Sequence, residues 1–366
     1  MRYIKAWKRG KSQQLEIALD NKRNILVKMW AYLLLALVPF AAADRGCKNC
    51  IDKVEFDPDI TRNVSELISS KGYPVEDHVT QTKDGFILSM QRIPNGRKAP
   101  GNYKGKKTVV FLQHGLLSAS SDFVLNFPEE SLGFILADSG YDVWMGNTRG
   151  NTYSRKHTRL NPNTDEFWDY RLGYEKKGGK PNGLFKFLAK ILGIRDFLPN
   201  DKIMKWLSEY LCEWYEKIIC ENVMFLFFGR DYQELNATRI GVYGGHTPAG
   251  SSVKSIVHFA QMIEADFAKF DYGKKGNIAR YGQATPPVYD ISKITTPVAL
   301  LSGLNDNLAD PKDVEIVAKK LKTLVSNYVV PLDAFNHIDF ILAIDGKKLV
   351  HNEVERLLLK YVSREF

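Results

Sequence analysis

The 366-residue sequence is most easily bounded by what it has little of. It holds four cysteines, in two close pairs, Cys47/Cys50 and Cys212/Cys220. No second Cys-x-x-Cys and no histidine cluster with ligand spacing accompanies the first pair, and a structural zinc site needs four ligands, so no metal or cofactor is expected. The longest apolar stretch runs only from Met29 to Ala43. A membrane helix needs ~20 apolar residues, so a stable span is not expected once a leader has been removed. Net positive charge is also scarce outside one segment. The chain carries a net +9, but residues 1–43 account for +6 through Arg2, Lys5, Lys8, Arg9, Lys11, Lys22, Arg23 and Lys28 against Glu16 and Asp20. The remaining +3 over residues 44–366 is too little for nucleic-acid binding. There are no internal repeats.

The leader itself is informative. Lys28 precedes the apolar stretch MWAYLLLALVPFAAADRG, which closes on Ala41-Ala42-Ala43. A positive flank, a short apolar core and small residues at a cleavage site make a secretory signal, with Met29 as a plausible start and the mature chain beginning near Asp44. An uncleaved anchor is the alternative. Two acceptor triplets, Asn63-Val64-Ser65 and Asn236-Ala237-Thr238, fit N-glycosylation on the secretory route, and in that oxidising setting both cysteine pairs can close as disulfides.

Beyond the leader the pattern alternates between strands and helices. Val79–Gln91 reads as two strands hinged at Asp84-Gly85. Thr108–Gln113 is a buried strand, Gly133–Ser139 a short helix, and Tyr141–Met145 a second buried strand, which together make a βαβ unit and a parallel sheet. Arg171–Pro181 is a polar, Gly/Lys-rich linker. The long apolar stretches Leu184–Ile194 and Lys202–Phe228 carry aromatics at helical spacing; such periodicity ordinarily reports core, and here it suggests a helical cap. Strand Pro297–Ser302 follows, then a helix capped by Asp310 with Pro311 at its first position and Val314, Val317, Leu321 and Leu324 on one face. A strand at Asn327–Leu332 and a final helix at Val350–Tyr361 complete the chain. This divides into a leader (1–43), two parts of one α/β domain (44–170 and 246–366) and an intervening linker and cap (171–245).

Asp306 and His337 follow successive strands, in that order, with one helix and one strand between them. An acid that orients an imidazole, and an imidazole that takes a nucleophile's proton, occupy such loops in α/β-hydrolases. His114-Gly115-Leu116 follows an earlier strand, where a backbone N–H can face a developing oxyanion. Taken singly, an Asp in a Gly/Asn loop is usually a turn residue, and a lone His is usually structural. Their order and placement together are what point to chemistry.

Six stretches carry a resemblance: GYPVEDHVTQTKDGFILSMQRIP (72–94), VVFLQHGLLSASSDFV (109–124), LADSGYDVWMGNTRGNTYSRKH (136–157), HTPAGSSVKSIVHFAQ (246–261), YDISKITTPVALLSGLNDNLADPKDV (289–314) and FNHIDF (335–340). The chain resembles the acid lipases, the gastric and lysosomal enzymes that cleave triacylglycerols and cholesteryl esters. The resemblance implies an α/β-hydrolase sheet with a helical cap, Asp306 as triad acid, His337 as base and the Leu116 amide as one oxyanion donor. It also implies a cap disulfide at Cys212/Cys220, here one residue closer in spacing. Neutral lipid or a lipid-droplet surface is the implied partner, and the secreted or lysosomal route the implied location.

The departure from the family is equally specific. Where the family continues from Phe167-Trp168 into a helix, a central strand, a Gly-His-Ser-Gln-Gly elbow, another helix and another strand, this chain passes into the 171–183 loop. No Gly-x-Ser-x-Gly occurs anywhere in the sequence. The nearest imitation, Gly244–Gly250, has no serine at its apex. The expected fold is therefore an α/β-hydrolase sheet lacking two central strands and the nucleophile elbow. Either strand Pro297–Ser302 moves over to pair with Thr108–Gln113, or the two halves of the sheet stay apart. Function divides the same way, between an ester hydrolase whose active form includes the absent segment and a non-catalytic lipid-binding or interaction protein.

Overall fold

A computed structural model describes residues 57–98, 107–170, 196–200, 228–264 and 267–362. The chain divides into Met1–Glu55 and Phe56–Phe366, and every described residue belongs to the second unit. The linker at 171–181, nearly all of the expected cap helices and all four cysteines lie outside the described residues.

Strands β1 (Glu76–Gln81) and β2 (Phe86–Ile93) form the hairpin that Asp84-Gly85 announces. Gly85 sits at φ +98°, a region L side chains avoid, and its N–H donates to Thr82 O at 2.9 Å. β3 (Val109–Gln113) and β4 (Asp142–Gly146) run parallel, joined by helix Leu132–Asp138, which ends at Gly140 with φ +93°. This is the expected βαβ unit, with boundaries shifted by a residue. Sheet order is β1-β2-β4-β3, with the two-residue strand β5 (Lys156–His157) pairing β2. Short strands β6 (Asp196–Phe197) and β7 (Ser251–Ser252) pair with each other.

The C-terminal part builds a separate sheet. β8 (Val298–Ser302) and β9 (Leu324–Val329) run parallel around helix Pro311–Lys320, whose N-cap Asp310 accepts from Lys312 N–H as its sequence implies. Leu324, expected on that helix, instead opens β9. The chain leaves helical geometry at Leu321 (φ −81°, ψ 108°), so the strand starts three residues before the expected Asn327. The last helix, Asn352–Val362, is preceded by a π-helical turn at Lys347–His351.

Of the two expected arrangements of the sheet, the halves stay apart. Among the described residues β3 is hydrogen-bonded to β4 alone and β8 to β9 alone. Val110 and Leu112 turn into the core with Val143 and Met145, while Val109 and Phe111 on the other face are 58% and 55% exposed. Alternation along a strand puts successive side chains on opposite faces, so β3 has one face packed and one face bare.

The main core gathers Ile60, Val64, Leu67, Ile68, Val143 and Met145 with Ile240, Val242 and Tyr243. The last three belong to helix Ile240–His246, so the expected end of the cap at residue 245 falls inside a helix that packs with the N-terminal part. Apolar spacing alone cannot say which core a helix joins.

Arg239 fastens that helix. Its Nη1 donates to Asp59 Oδ2 at 2.8 Å and Asp57 Oδ2 at 2.9 Å, and its Nη2 donates to Leu125 O. Burial alone would raise the Asp59 pKa, but hydrogen bonds from Lys71, Arg62 and Arg239 outweigh it and hold the carboxyl at about 2. A depressed carboxyl contributes stability that is present above its unfolded pKa of 3.8 and is lost as pH falls through about 2. Arg239→Met is expected to cost about 2 kcal/mol, the usual worth of a hydrogen bond to a charged group, since Asp59 keeps Lys71 and Arg62. A urea midpoint unchanged at pH 6 would show the pair to be dispensable.

Candidate active site

The loops after β8 and β9 are laced together before either contributes a functional side chain. At Gly303 an added Cβ would lie 2.5 Å from Phe335 O, so only glycine permits the two loops to pass so closely. Asn305 N–H donates to Phe335 O at 3.1 Å, and Asn305 Nδ2 donates to Ala334 O and Arg230 O, each at 3.0 Å.

This lacing brings Asp306 and His337 together. His337 Nδ1 lies 2.9 Å from Asp306 Oδ2. The other carboxylate oxygen accepts from Leu308 N–H at 2.8 Å and Ala309 N–H at 2.7 Å. Asp306 is thus both the turn residue that its composition suggests and the partner of His337, one oxygen for each. Burial pushes its carboxyl up, but the His337 hydrogen bond and charge, with the two amides, more than reverse this and hold it below the ordinary carboxylate value. An ionised carboxylate can only accept, so Nδ1 carries the proton that bridges the pair. The His337 side chain is 41% exposed and stacks on Phe228, with ring centroids 6.0 Å apart at 13°. Its backbone N–H donates to Phe228 O at 3.3 Å.

Leu116 lies in the turn after β3, half-buried, and makes no hydrogen bond with Asp306 or His337. Its neighbours shape that turn. Leu117 adopts φ +64°, and its carbonyl accepts from Ala249 N–H at 2.6 Å. His114 Nε2 accepts from Thr148 N–H at 3.0 Å, which leaves Nδ1 to donate to Gly115 O at 2.7 Å. Burial, opposed in part by the Gly115 carbonyl, pushes the His114 pKa down, so this imidazole is a neutral brace. Behind it Asn147 and Asn151 hold Ser120 and Gln91 in a buried polar network.

The Gly244–Gly250 stretch is a packing junction. Gly245 abuts Ile60 O, the buried His246 ring nitrogen Nε2 lies 2.8 Å from Asp59 O, and Ala249 O accepts from Thr152 N–H at 2.9 Å. Asn63 and Asn236 both act as N-caps. Asn63 closes a capping box with Glu66, and Asn236 Oδ1 accepts from Thr238 N–H at 3.1 Å. The groups that sequence patterns did not assign to the site are Asn305, Asn336 and Asp339, together with Phe228, read as a cap aromatic, all of which hold the His337 loop. Among the described residues no helix is long and apolar enough to cross a membrane.

Comparison with known proteins places this geometry in context. A family profile described as the partial α/β-hydrolase lipase region matches residues 64–127. Human lysosomal acid lipase/cholesteryl ester hydrolase is 36% identical, over 90% of this chain and 98% of the relative. Rat gastric triacylglycerol lipase is 35% identical over 89% and 98%, and lipase lipl-1 of Caenorhabditis elegans 35% over 90% and 97%. The human alignment runs over 396 positions, whereas 90% of 366 residues is about 330, so about 65 positions of the relative face no residue here.

Proposed function

The chain belongs to the acid lipase family of α/β-hydrolases, and from that premise we propose that it derives from a carboxylic ester hydrolase of neutral lipids, triacylglycerol or cholesteryl ester, and is inactive as written. The observation that carries the proposal is an Asp306–His337 pair at 2.9 Å in a sequence with no Gly-x-Ser-x-Gly. Asp306 would hold the imidazole in the tautomer that leaves Nε2 basic, and Nε2 would accept the nucleophile's proton. The Leu116 amide would supply one oxyanion donor. The second donor is the amide that follows the nucleophile, and it is absent with the serine. An Asp–His pair can still assist a water, but loss of the nucleophile in such systems costs on the order of 10⁶ in kcat. The unmatched positions in the alignments support a missing internal segment, which the family would fill with two central strands and the elbow. A shortened product of a gene whose full form carries the serine accounts for this better than an adapted pseudoenzyme, because central strands are hard to dispense with. In this proposal residues 44–170 and 246–366, together with helix Ile240–His246 on the N-terminal core, form the hydrolase domain, and the linker and cap lie between residue 171 and that helix, closed by Cys212–Cys220.

A serine-directed fluorophosphonate is expected to leave no covalent label on this chain; stoichiometric labelling with a burst of product would sink the proposal. The bare apolar face at Val109 and Phe111 favours a second reading, a non-catalytic protein that binds neutral lipid or a lipid-droplet surface. Flotation of unlabelled protein with triacylglycerol emulsions, abolished by Phe111→Lys, would distinguish it. On either reading the chain follows the secretory route to the lysosome or the exterior. Secreted material should begin near Asp44 and carry a glycan at Asn63, whose capping uses Oδ1 and leaves the amide nitrogen for the sugar. The mass of that material before and after glycosidase checks both, and retention of residues 1–28 would refute a cleaved signal.

A further inference from the structure

The turn after β3 is held from behind by hydrogen bonds whose directions are fixed by backbone groups. Asn151 Oδ1 accepts from Tyr153 N–H and Ser154 N–H, each at 3.1 Å, and a backbone N–H can only donate. The Asn151 amide nitrogen therefore faces the other way, where it donates to Asn147 Oδ1 at 2.9 Å and lies 3.2 Å from His114 Nε2. Thr148 N–H reaches the same Nε2 at 3.0 Å. Two donors converge on that nitrogen, so it keeps its lone pair and the ring proton sits on Nδ1, 2.7 Å from Gly115 O. A proton on Nε2 would set donor against donor, and burial also disfavours the imidazolium. His114, Asn147 and Asn151 are all buried.

We infer that His114 is a positioning residue for the Leu116 amide, its Nδ1–H holding the Gly115–Leu116 peptide plane so that the Leu116 N–H points out of the fold. The Gly115–Leu116 bond is trans, and in a trans peptide the carbonyl and the following N–H point in opposite directions. Turning Gly115 O onto the buried imidazole thus turns the Leu116 N–H away from it. Gly115 is exposed, and an added Cβ there would meet nothing within 4 Å. No described residue accepts from the Leu116 N–H. The rest of the turn is closed. Leu117 O accepts from Ala249 N–H at 2.6 Å, Ser118 O lies 3.4 Å from Asn151 Nδ2, and Ser120 N–H donates to Asn147 Oδ1 at 3.0 Å. The turn therefore presents one oriented donor, and a donor fixed in advance suits an oxygen that gains negative charge. Its use for an oxyanion rests on the hydrolase reading; its orientation does not.

Heteronuclear NMR of the histidine rings in the full chain gives the first test. His114 should carry its proton on Nδ1, with Nε2 bare; the Nε2–H tautomer, or an imidazolium at neutral pH, would overturn the inference. The direction of the Leu116 N–H bond is read from its residual dipolar coupling in a weakly aligned sample. An asparagine amide falls near the place of Nδ1, and a glutamine amide near that of Nε2. His114→Asn should therefore keep the Leu116 coupling. In His114→Gln, which keeps a partner for Thr148 N–H but none for Gly115 O, the coupling should collapse as the peptide turns freely. Equal couplings in the two variants, whether kept or lost, would mean that the ring only fills space. Should neither variant fold, a Leu116 coupling averaged to near zero in the wild-type chain overturns the inference equally. No readout involves turnover, so failure here is separate from failure of the hydrolase reading, which fluorophosphonate labelling decides.

Discussion

Inserting the nucleophile-bearing segment of a gastric lipase relative between Tyr170 and Arg171 is expected, on the proposed reading, to give this chain ester hydrolase activity. The gain in kcat on a short-chain ester should be on the order of 10⁶, since that is what removal of a nucleophilic serine typically costs. The expectation rests on how much of the machinery is already assembled. His337 Nδ1 is engaged by Asp306 at 2.9 Å, and the Asp306 carboxylate is itself fixed by the Leu308 and Ala309 amides. The turn at Leu116 is braced by a neutral His114 and by the Ala249–Leu117 hydrogen bond. What the chain lacks is the attacking oxygen and the amide after it. On the proposed reading the insertion also supplies a strand to pair beside β3, so it should act on folding and chemistry together. Stoichiometric fluorophosphonate labelling with burst kinetics is the measurement. His337→Ala in the restored chain should remove nearly the whole gain, because members of a triad act as a unit. A restored chain that unfolds cooperatively but takes no label would mean that the Asp306–His337 pair is structural.

The second large effect concerns the chain as it stands. Purified, it should self-associate and fall short of the ~5 kcal/mol stability usual for a domain. Among the described residues β3 has one strand neighbour, and Val109 and Phe111 on its outer face are mostly exposed. At just over half exposure, each such side chain forgoes about 1–2 kcal/mol that full burial would supply. The opposite half is no better covered. No residue of helix Pro311–Lys320 is buried, and its Ile316 and Val317 are exposed. The unpaired edge that β3 shows among the described residues presents its free N–H and C=O groups in the plane of the sheet, open to pairing with another chain. The strand's five residues, VVFLQ, carry no charge and no proline, the usual devices that keep an edge from pairing with another chain. Phe111→Lys should therefore reduce association at least tenfold, as read by light scattering over a concentration series, without lowering the melting temperature. A monomer with a single cooperative transition above ~5 kcal/mol would show this account to be mistaken.

Local chemistry determined much of this protein before any chain path is considered. Asp84-Gly85 specified a hairpin because few dipeptides tolerate its turn, and Asp310-Pro311 specified a helix start because a cap and a preset φ coincide there. The absence of any Gly-x-Ser-x-Gly is a fact of sequence alone. The order of Asp306 before His337 was also legible, as was the βαβ unit from β3 to β4. Only the tertiary structure decided which side chains meet and which faces are covered. Asp306 and His337 stand 31 residues apart, and their contact depends on Gly303 letting two loops pass. Helix Ile240–His246 joined the N-terminal core because Arg239 meets Asp57 and Asp59 across the fold. Asp339 became a clamp on the His337 loop by accepting from Asn336 N–H while its own N–H donates to Asn336 Oδ1. Periodicity and turn propensity are properties of neighbours along the chain, whereas burial, charge environment and strand pairing belong to residues that only folding makes neighbours.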